Sequence, residues 1–481
     1  MLLARQLEKL LGKSRVSVEP ATLAEHATDR WFASHTPDVV VFAESTADVS
    51  KLLKFAHRRR IPVTPRGSGY GYVGGCVPLR GGIALSLARM NRIKEINFAD
   101  AVAVVEPGVI TGVLQAAARK QRLFYPPDPA SLKECSLGGN IATNAGGPRC
   151  LKYGVTRQYV LGLEVVLANG DVLRTGGRTH KNKTGFDLIG MFVGSEGLLG
   201  VVTEATLRLL PRPPARATLS ASFRTFRQAA KAVQEIFAAG FLPSALEIAD
   251  AFTLEAAGEY LGKHLAPRGS AHLLVDLDGQ PESVTSEVHS LARLLQKLKP
   301  IGARTALGEA ACEELWSLRR AFSQSLKATG LTKLNEDIVV PRGKLTDLAE
   351  FAAKLRKKYG YPIACFGHAG DGNIHVNIMA ARYHEDPSIH KKVGMALDEL
   401  FRQVLAWGGV ITGEHGIGIA KQRWWPEATT RVSRAVHTSL KTALDPRGIL
   451  NPGKFVASME GDMPVARTTR ARGRTFDTSP P

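Results

Sequence analysis

The chain has 481 residues, of which 44% are hydrophobic and 22% charged, a balance that excludes a largely disordered protein and predicts two or three globular domains. Lysine and arginine outnumber aspartate and glutamate by 63 to 44, a formal charge of +19, yet no helix-turn-helix, RNP or zinc-finger motif accompanies this charge, so nucleic-acid binding is not predicted. The five cysteines form no CxxC pair, which argues against zinc-ribbon, iron–sulfur and thioredoxin motifs and favours a reducing compartment.

The N-terminal segment 1–34 begins with a pattern that predicts an amphipathic helix. Charges interrupt its apolar residues, unlike those of a signal peptide, and no run of about 20 apolar residues predicts a membrane-spanning helix. We therefore expect a cytoplasmic protein. The basic surface also suits solubility alone, small anionic substrates, or peripheral contact with anionic lipid at the inner face of the membrane.

Residues 35–214 are predicted to form the first folded domain. The β-branched stretch 39–45 indicates a strand, residues 47–60 have amphipathic helical spacing, and the chain then returns to a strand that ends in glycines. Short strands separated by Gly, Asn and Pro turns follow from about 81 to 210. The proline-rich residues 211–214 mark a boundary. This order is typical of an α+β or α/β nucleotide-binding domain.

A second domain is predicted over residues 215–410. Helical patterns alternate there with strand-like ones such as AHLLVDLDG, which indicates helices packed on an antiparallel sheet. The tail 457–481 places arginines among Thr, Gly and Pro, so it is predicted to be a disordered basic tail.

Two glycine-rich segments indicate a bound cofactor. Residues 65–75 follow a strand directly and lack Cβ atoms at many positions, so a diphosphate can approach consecutive backbone N–H groups. Their GxGxG spacing is neither the GxGxxG fingerprint nor a Walker A motif, and a plain tight turn is the alternative. Residues 126–156 combine glycines with small amide and hydroxyl side chains, which suits contact with a flat ring that has polar edges.

Two histidine motifs predict a metal site. His368 and His375 flank a Gly-Asp-Gly turn, and the alternation of the strand that follows puts His375 and Asn377 on one face. Glu414 can complete a set of two histidines and one carboxylate, which leaves coordination positions open as a catalytic metal requires. Any one of these histidines could instead be structural.

Together with GSEGLLGVVTEATLRL at 194–209, these motifs resemble the vanillyl-alcohol oxidase and p-cresol methylhydroxylase superfamily. The resemblance runs from about 35 to 455. It is strongest for the branch of D-lactate dehydrogenase, the glycolate oxidase flavoprotein subunit and D-2-hydroxyglutarate dehydrogenase. It implies an α+β fold with a two-subdomain PCMH-type FAD-binding domain, a cap domain, and a C-terminal segment, 411–456, that packs on the FAD domain.

The resemblance implies that FAD is held without a covalent bond, because Tyr70 stands where covalently linked members carry histidine. The implied contacts of the FAD pyrophosphate are Arg66, Gly67, Ser68, Gly69, Tyr70 and Gly71. The implied contacts of the isoalloxazine and ribityl groups are Pro127, Asp128, Gly138, Gly139, Thr143, Asn144 and Gly147. Those of the adenine or ribose end are Glu196, Gly197 and Val202. Asn451 is a further implied FAD contact, with a purely structural anchor as the alternative.

The resemblance also implies roles at the reaction centre. His368, His375 and Glu414 would bind a divalent metal, commonly zinc, and His415 would be the base. The implied substrate ligands are Arg319, Ser323, Lys333 and Asn377. A guanidinium binds a carboxylate through two parallel hydrogen bonds, but the sequence does not separate Arg319 from Arg320 as the clamp.

The expected function is FAD-dependent oxidation of a small anionic 2-hydroxy acid such as D-lactate or glycolate, with metal assistance and hydride transfer to flavin N5. Electrons would pass to a separate acceptor, which is a quinone, a soluble carrier, oxygen or an iron–sulfur partner subunit. A homodimer is an open alternative to a monomer. The competing functions are a transferase like alkyl-glycerone-phosphate synthase and a basic nucleic-acid or membrane-surface binder.

Overall fold

The structure, a computed structural model, describes residues 2–262 and 268–456, so the predicted tail 457–481 lies outside the described residues. The strands of the first half are β1 Val16–Ser17, β2 Val39–Phe42, β3 Val63–Arg66, β4 Ile83–Ser86, β5 Ile93–Asn97, β6 Val102–Val105, β7 Leu123–Phe124, β8 Val160–Val166, β9 Val172–Gly176, β10 Val201–Arg208 and β11 Leu210–Pro211. Its helices are α1 Leu2–Leu11, α2 Pro20–Glu25, α3 Thr46–Arg59, α4 Thr111–Lys120, α5 Leu137–Thr143, α6 Cys150–Tyr153 and α7 Leu188–Phe192.

The first half contains two main sheets. One has the order β1-β2-β4-β3 with β4 parallel to both β2 and β3, and the other is antiparallel with the order β5-β6-β10-β8-β9. The helix α3 connects β2 to β3, as the pattern predicts, and Ser45 caps it by accepting from the Asp48 backbone N–H. The first glycine-rich loop therefore leaves the carboxyl end of a parallel strand.

The region 81–210 differs from its prediction in one respect. It contains the helices α4 to α7 as well as short strands. The turn residues in this region suggested strands alone, whereas Leu114 and Ala118 of α4 are buried at helical spacing. The helix α5 begins at the Ser136 cap and carries the glycines of the second glycine-rich segment.

The second half is built on one antiparallel sheet of seven strands, in the order β15-β12-β14-β13-β17-β18-β16. Its strands are β12 Ala215–Phe223, β13 Ala245–Asp250, β14 Ala271–Gly279, β15 Gly302–Leu307, β16 Thr332–Val339, β17 Ile363–His368 and β18 Asn373–Ala380. Its helices are α8 Phe226–Ala238, α9 Ala251–Leu261, α10 Pro281–Lys297, α11 Glu309–Ala328, α12 Leu345–Tyr359 and α13 Pro387–Ala406.

The two faces of this sheet differ in character. The helices α8, α10, α12 and α13 pack on one face in a large apolar core that includes Ile374, Val376 and Ile378. On the other face, α9 and α11 cover only part of the sheet, through a small cluster around Phe322 and Phe366. The uncovered part is polar, because the strand register places Glu247 opposite His368 and Asp337 opposite His375.

The C-terminal segment returns to the first half, as the resemblance implies. It contains α14 Trp425–Ala428 and α15 Arg431–Leu444. Beyond α15, Leu450 forms a parallel bridge to Val63 of β3, and the buried Lys441 ammonium donates to the Leu198 and Leu450 carbonyls. Within the described ranges, no helix is long and apolar enough to cross a membrane.

Candidate active site

The two glycine-rich segments lie against each other. A Cβ placed on Gly67 would collide with the Ser136 hydroxyl at the start of α5, so the loops meet where side chains are absent. In the part of the chain that the structure describes, no acceptor takes the consecutive backbone N–H groups from Ser68 to Gly71. Free N–H groups on a glycine loop are the donor set that a diphosphate needs. The residues present therefore fit an FAD pyrophosphate.

Both glycine segments also contact the histidine motifs. The Tyr72 ring stacks on the His415 ring, with centroids 5.4 Å apart. A Cβ placed on Gly146 would lie 3.0 Å from Oε1 of Glu414, so a larger residue there would press on that carboxylate. The reaction centre suggested by the sequence therefore lies beside the glycine-lined surface.

His368, His375 and Glu414 come together at one point of the polar sheet face. Each offers a ligand atom, and these atoms all lie within 4.8 Å of one another. Nε2 of His368 lies 3.4 Å from Oε1 of Glu414, and the His375 ring stacks on His415 with centroids 5.8 Å apart. The structure thus brings together the three predicted metal ligands and the predicted base.

The donor set of this cluster fits a divalent cation. Nδ1 of His375 is buried without a hydrogen-bond partner, which costs free energy unless a ligand occupies it. Burial also holds the pKa of His375 well below its usual value, so the imidazole is neutral, the form that binds metals. Burial lowers the pKa of His368, but Glu247 and Glu414 outweigh it and raise this pKa well above its usual value, so a cation at Nε2 would replace the proton there while Nδ1 stays bound to Glu247.

Glu247 is a site residue that the sequence analysis missed. Its Oε1 lies 2.6 Å from Nδ1 of His368, and its Oε2 accepts from Nε of Arg319 at 2.5 Å. Burial alone would raise the pKa of Glu247, but His368 and Arg319 outweigh it and hold the pKa at about 2. The signal was a lone glutamate in the otherwise apolar strand ALEIA, since such a carboxylate must find partners.

Asp337 is a second site residue that the sequence analysis missed. It lies fully buried in β16, and its carboxylate accepts from the backbone of the loop that carries Glu414 and His415. Burial would raise the pKa of Asp337, whereas the neighbouring His415 imidazole, the Lys421 ammonium and the hydrogen bond from the Glu414 N–H keep it well below its usual value. The carboxylate is therefore ionised inside the protein.

The structure separates the two adjacent arginines of α11. The Arg319 side chain is 13% exposed and turns towards Glu247, with its guanidinium 5.0 Å from the Phe366 ring centroid. The Arg320 side chain is 52% exposed and pairs with Glu313. Only Arg319 faces the candidate site, so Arg320 is no longer a candidate for the clamp.

Lys333 and Ser323 lie together near Arg319. The Lys333 ammonium donates to the Ser323 hydroxyl at 2.7 Å and lies 5.8 Å from the Phe366 ring centroid. Burial, together with the charges of Lys327 and Arg319, lowers the pKa of Lys333 to about 7. The Lys333 side chain can therefore change between its charged and neutral forms near neutral pH.

Asn377 lies in β18, two residues from Met379, which is the strand partner of Lys333. Its amide N–H₂ donates to the Ala364 and His375 carbonyls, while its Oδ1 is buried without a partner. Asn335, opposite in the register, also has a buried Oδ1 without a partner. Two free acceptors in one place suit a ligand that donates hydrogen bonds.

Three residues for which the resemblance implies FAD contacts have protein partners. The two oxygens of Glu196 accept from the Ile417 and Gly418 N–H groups at 2.8 Å, so this carboxylate links the halves of the molecule. The Arg66 guanidinium donates to the Thr28 carbonyl. Asn451 donates to the Gly75 and Glu196 carbonyls, which supports the structural alternative for this residue.

The other residues for which the resemblance implies FAD contacts lie in the two glycine-rich segments, or just before and within the strand β10. Asp128 pairs with Arg149, and burial raises the pKa of Asp128 to about 6. Asn144 has a positive φ of 53° and accepts from the Arg157 backbone N–H. The remaining positions that are partly exposed are Ser68, Gly69, Tyr70, Gly71, Gly138, Gly139, Thr143, Gly197 and Val202, whereas Pro127 and Gly147 are buried.

A PCMH-like fold whose glycine loops adjoin a polar, histidine-containing sheet face defines a flavoprotein oxidoreductase. Comparison with known families agrees, since residues 37–176 match the family described as FAD binding domain and residues 212–455 match FAD linked oxidases, C-terminal domain. The chain belongs to this FAD-linked oxidase family and is an FAD-linked oxidoreductase. The family that the glycine and histidine motifs predict is confirmed.

Individual relatives give the same assignment. The chain is 40% identical over 421 residues to the glycolate oxidase subunit GlcD of Bacillus subtilis (strain 168), covering 88% of this chain and 89% of that protein. It is 33% identical over 426 residues to the D-lactate dehydrogenase of Anaerostipes hadrus, covering 87% and 89%. The crystal structure of p-cresol methylhydroxylase with substrate bound superposes with a TM-score of 0.78 at 21% identity, covering 96% of this chain and 97% of that chain, which confirms the predicted fold.

Proposed function

We propose that this protein oxidises a small 2-hydroxy acid, such as glycolate or D-lactate, to the 2-oxo acid. The observation that carries the proposal is the bridge from Arg319 through Glu247 to His368. A 2-hydroxy acid has its carboxylate and its hydroxyl on adjacent carbons. A site for it therefore needs an anion clamp directly beside the group that binds the hydroxyl.

The residues of the chain take separate tasks in this proposal. Arg319 binds the carboxylate through the guanidinium nitrogens that Glu247 leaves free, which fixes one orientation of the acid. Asn377 lies beside the clamp, and Ser323 and the Lys333 side chain supply further polar contacts there. These contacts select a small anion over a neutral alcohol.

His415 accepts the hydroxyl proton of the substrate. Burial lowers the pKa of His415, so the ring is neutral and can take a proton, while the nearby Asp337 carboxylate favours the charged form. His368, His375 and Glu414 would hold a divalent cation, for which zinc is the first candidate, and this cation would make the substrate hydroxyl more acidic. FAD, held without a covalent bond, supplies the two-electron acceptor at the glycine-lined surface.

The test is an anaerobic titration of the holoprotein with a panel of D- and L-2-hydroxy acids, in which loss of the yellow flavin colour reports oxidation. Glycolate or one enantiomer of lactate should bleach the flavin, and the product should be the 2-oxo acid. If no 2-hydroxy acid bleaches the flavin, the proposal is wrong, and a transferase like alkyl-glycerone-phosphate synthase becomes the better reading. Acids without the 2-hydroxyl are the control.

The acceptor of the electrons is a separate molecule in this proposal. Among the described residues, the one cluster of three or more metal-ligating groups is His368, His375 and Glu414, so the chain offers no second redox centre there. Mixing the reduced protein with oxygen, a soluble quinone or an artificial dye measures which class reoxidises the flavin fastest. Fast reoxidation by oxygen alone would exclude the need for a partner subunit.

A further inference from the structure

Four of the five groups that donate to the Asp337 carboxylate come from a single loop. Its Oδ2 accepts from the Thr412 hydroxyl at 3.0 Å and from the backbone N–H groups of Gly413, Glu414 and His415 at 2.9, 2.8 and 2.9 Å. Its Oδ1 accepts from Nδ2 of Asn373 at 2.7 Å. Three consecutive N–H groups that converge on one anion form a nest, here filled by a side chain of the protein.

These hydrogen bonds fix the orientation of Glu414 and His415, the two residues of the loop that have proposed roles at the reaction centre. When the N–H groups of Glu414 and His415 are both bound to one buried oxygen, their peptide planes and Cβ directions are set. Charge-assisted hydrogen bonds in a buried place are short and strong, and they repay the desolvation of the carboxylate. The loop needs such support because Gly413 and Gly416 on either side of the pair favour many backbone conformations.

We propose that Asp337 is a positioning residue for the loop 412–416, holding Glu414 towards the histidines and His415 towards the substrate before metal or substrate binds. The importance of this placement for catalysis rests on the proposed function. The placement itself is a property of the protein alone. A carboxylate that served only to stabilise the sheet would have no reason to collect its donors from the one loop that carries both groups.

The same segment is held from the other half of the molecule by Glu196, which binds the Ile417 and Gly418 N–H groups. The Lys421 ammonium connects β16 to the start of this segment, because it donates to the backbone carbonyls of Asp337 and Ile411. Each half of the protein therefore holds one part of the segment. Asp337 is the support that acts directly on Glu414 and His415.

The first experiment compares Asp337→Asn with Asp276→Asn. Asp276 is also a buried carboxylate of the same sheet, but its partners are Arg216, Thr218 and Trp316, outside the site. Hydrogen exchange of the 412–418 amides is measured on metal-free, substrate-free holoprotein. We expect exchange to speed up by about tenfold or more in Asp337→Asn, because several bonds to the loop are lost, and to stay unchanged in Asp276→Asn.

The functional readouts follow on the same proteins. Asp337→Asn should keep its FAD, lose metal affinity by about 10-fold to 100-fold in a chelator competition, and lose kcat more than it raises KM. Asp276→Asn should lower the Tm without these effects. Equal exchange in Asp337→Asn and wild type, or equal losses in both variants, would overturn the proposal.

A second variant covers the case in which Asp337→Asn does not fold. Thr412→Val removes one donor to the carboxylate at a half-buried position and leaves Asp337 in place. The Thr412 hydroxyl also accepts from the Gly416 N–H, so the readout for this variant is exchange of the Gly413, Glu414 and His415 amides. The variant should speed up exchange of these amides by a smaller factor and lower kcat in proportion, whereas unchanged exchange would again contradict the positioning role. If wild type oxidises no 2-hydroxy acid but Asp337→Asn still loosens the loop, the proposed function fails and the positioning of the loop stands.

Discussion

Glu247 lies with one oxygen 2.6 Å from Nδ1 of His368 and the other 2.5 Å from Nε of Arg319. A single buried carboxylate thus touches both the predicted metal site and the predicted anion clamp. Because the two oxygens belong to one rigid group, we expect the metal site and the anion clamp to depend on each other. The first prediction tests this link.

Glu247→Gln should weaken metal and substrate binding together. The amide keeps the shape but removes the negative charge that offsets His368 and Arg319, so metal affinity should fall by about 10-fold to 100-fold and KM should rise. The free energy of unfolding should fall by about 3 kcal/mol, since the Arg319 guanidinium and Nδ1 of His368 lose a buried carboxylate partner. Chelator competition, steady-state kinetics and denaturation measure these effects. Glu313→Gln on the exposed side of α11 is the control, and loss of only one of the two affinities would show that the sites are independent.

His415→Ala should separate cofactor binding from the proton transfer. The variant should bind FAD normally, because the ring contacts Tyr72 and His375 and not the free N–H groups of the glycine loop. Its flavin reduction by the best acid should slow by about 10²-fold to 10⁴-fold, the usual contribution of a general base. Anaerobic stopped-flow absorbance measures this rate. An unchanged rate would remove His415 from the mechanism.

Arg319→Lys tests the clamp. Lysine keeps the charge but not the planar pair of donors, so KM for the acid should rise by about 10-fold or more, with a smaller loss of kcat. Arg320→Lys, one residue further along α11, should behave as wild type because its side chain lies on the surface. The ratio of the two KM values is the measurement. A larger effect at Arg320 would show that the clamp has been misassigned.

Lys333 predicts a pH dependence of substrate binding. Its pKa of about 7 means that the ammonium is charged below that pH and neutral above it, while the carboxylate of the substrate stays ionised throughout. KM for the acid should therefore rise as the pH passes upwards through about 7. Lys333→Met should have a high KM that changes little over this range. If the variant keeps the wild-type profile, another group is responsible.

The sequence predicted the parts of the site that repeat a short pattern. Each of these patterns occupies one short stretch of the chain, so local rules reveal it. They are the glycine loops, the spacing of His368 and His375, and the Glu414–His415 pair. Glu247 was missed because it reaches His368 across a strand pairing 121 residues apart in the chain. A sheet partner at such a separation follows from topology, which one sequence does not specify.

The roles of the adjacent arginines and of Glu196 also depend on contacts between distant parts of the chain. Arg319 and Arg320 have the same local sequence, and only the packing of α11 on the sheet decides which faces inwards. The resemblance implies an FAD contact for Glu196, and only the structure shows that its carboxylate also accepts from the Ile417 and Gly418 N–H groups. In both cases the deciding contact comes from a distant part of the chain.

The bridge between Leu450 and Val63 has a consequence for biosynthesis. Val63, in a strand of the first domain, pairs with a residue that is translated almost four hundred residues later, and the Asp337 carboxylate binds amides that are translated 77 and 78 residues after it. A nascent chain can therefore complete neither the nucleotide cradle nor the reaction centre until it is nearly finished. We therefore expect FAD to bind late in synthesis, and truncated chains to lack the activity that would pass electrons from reduced flavin to oxygen.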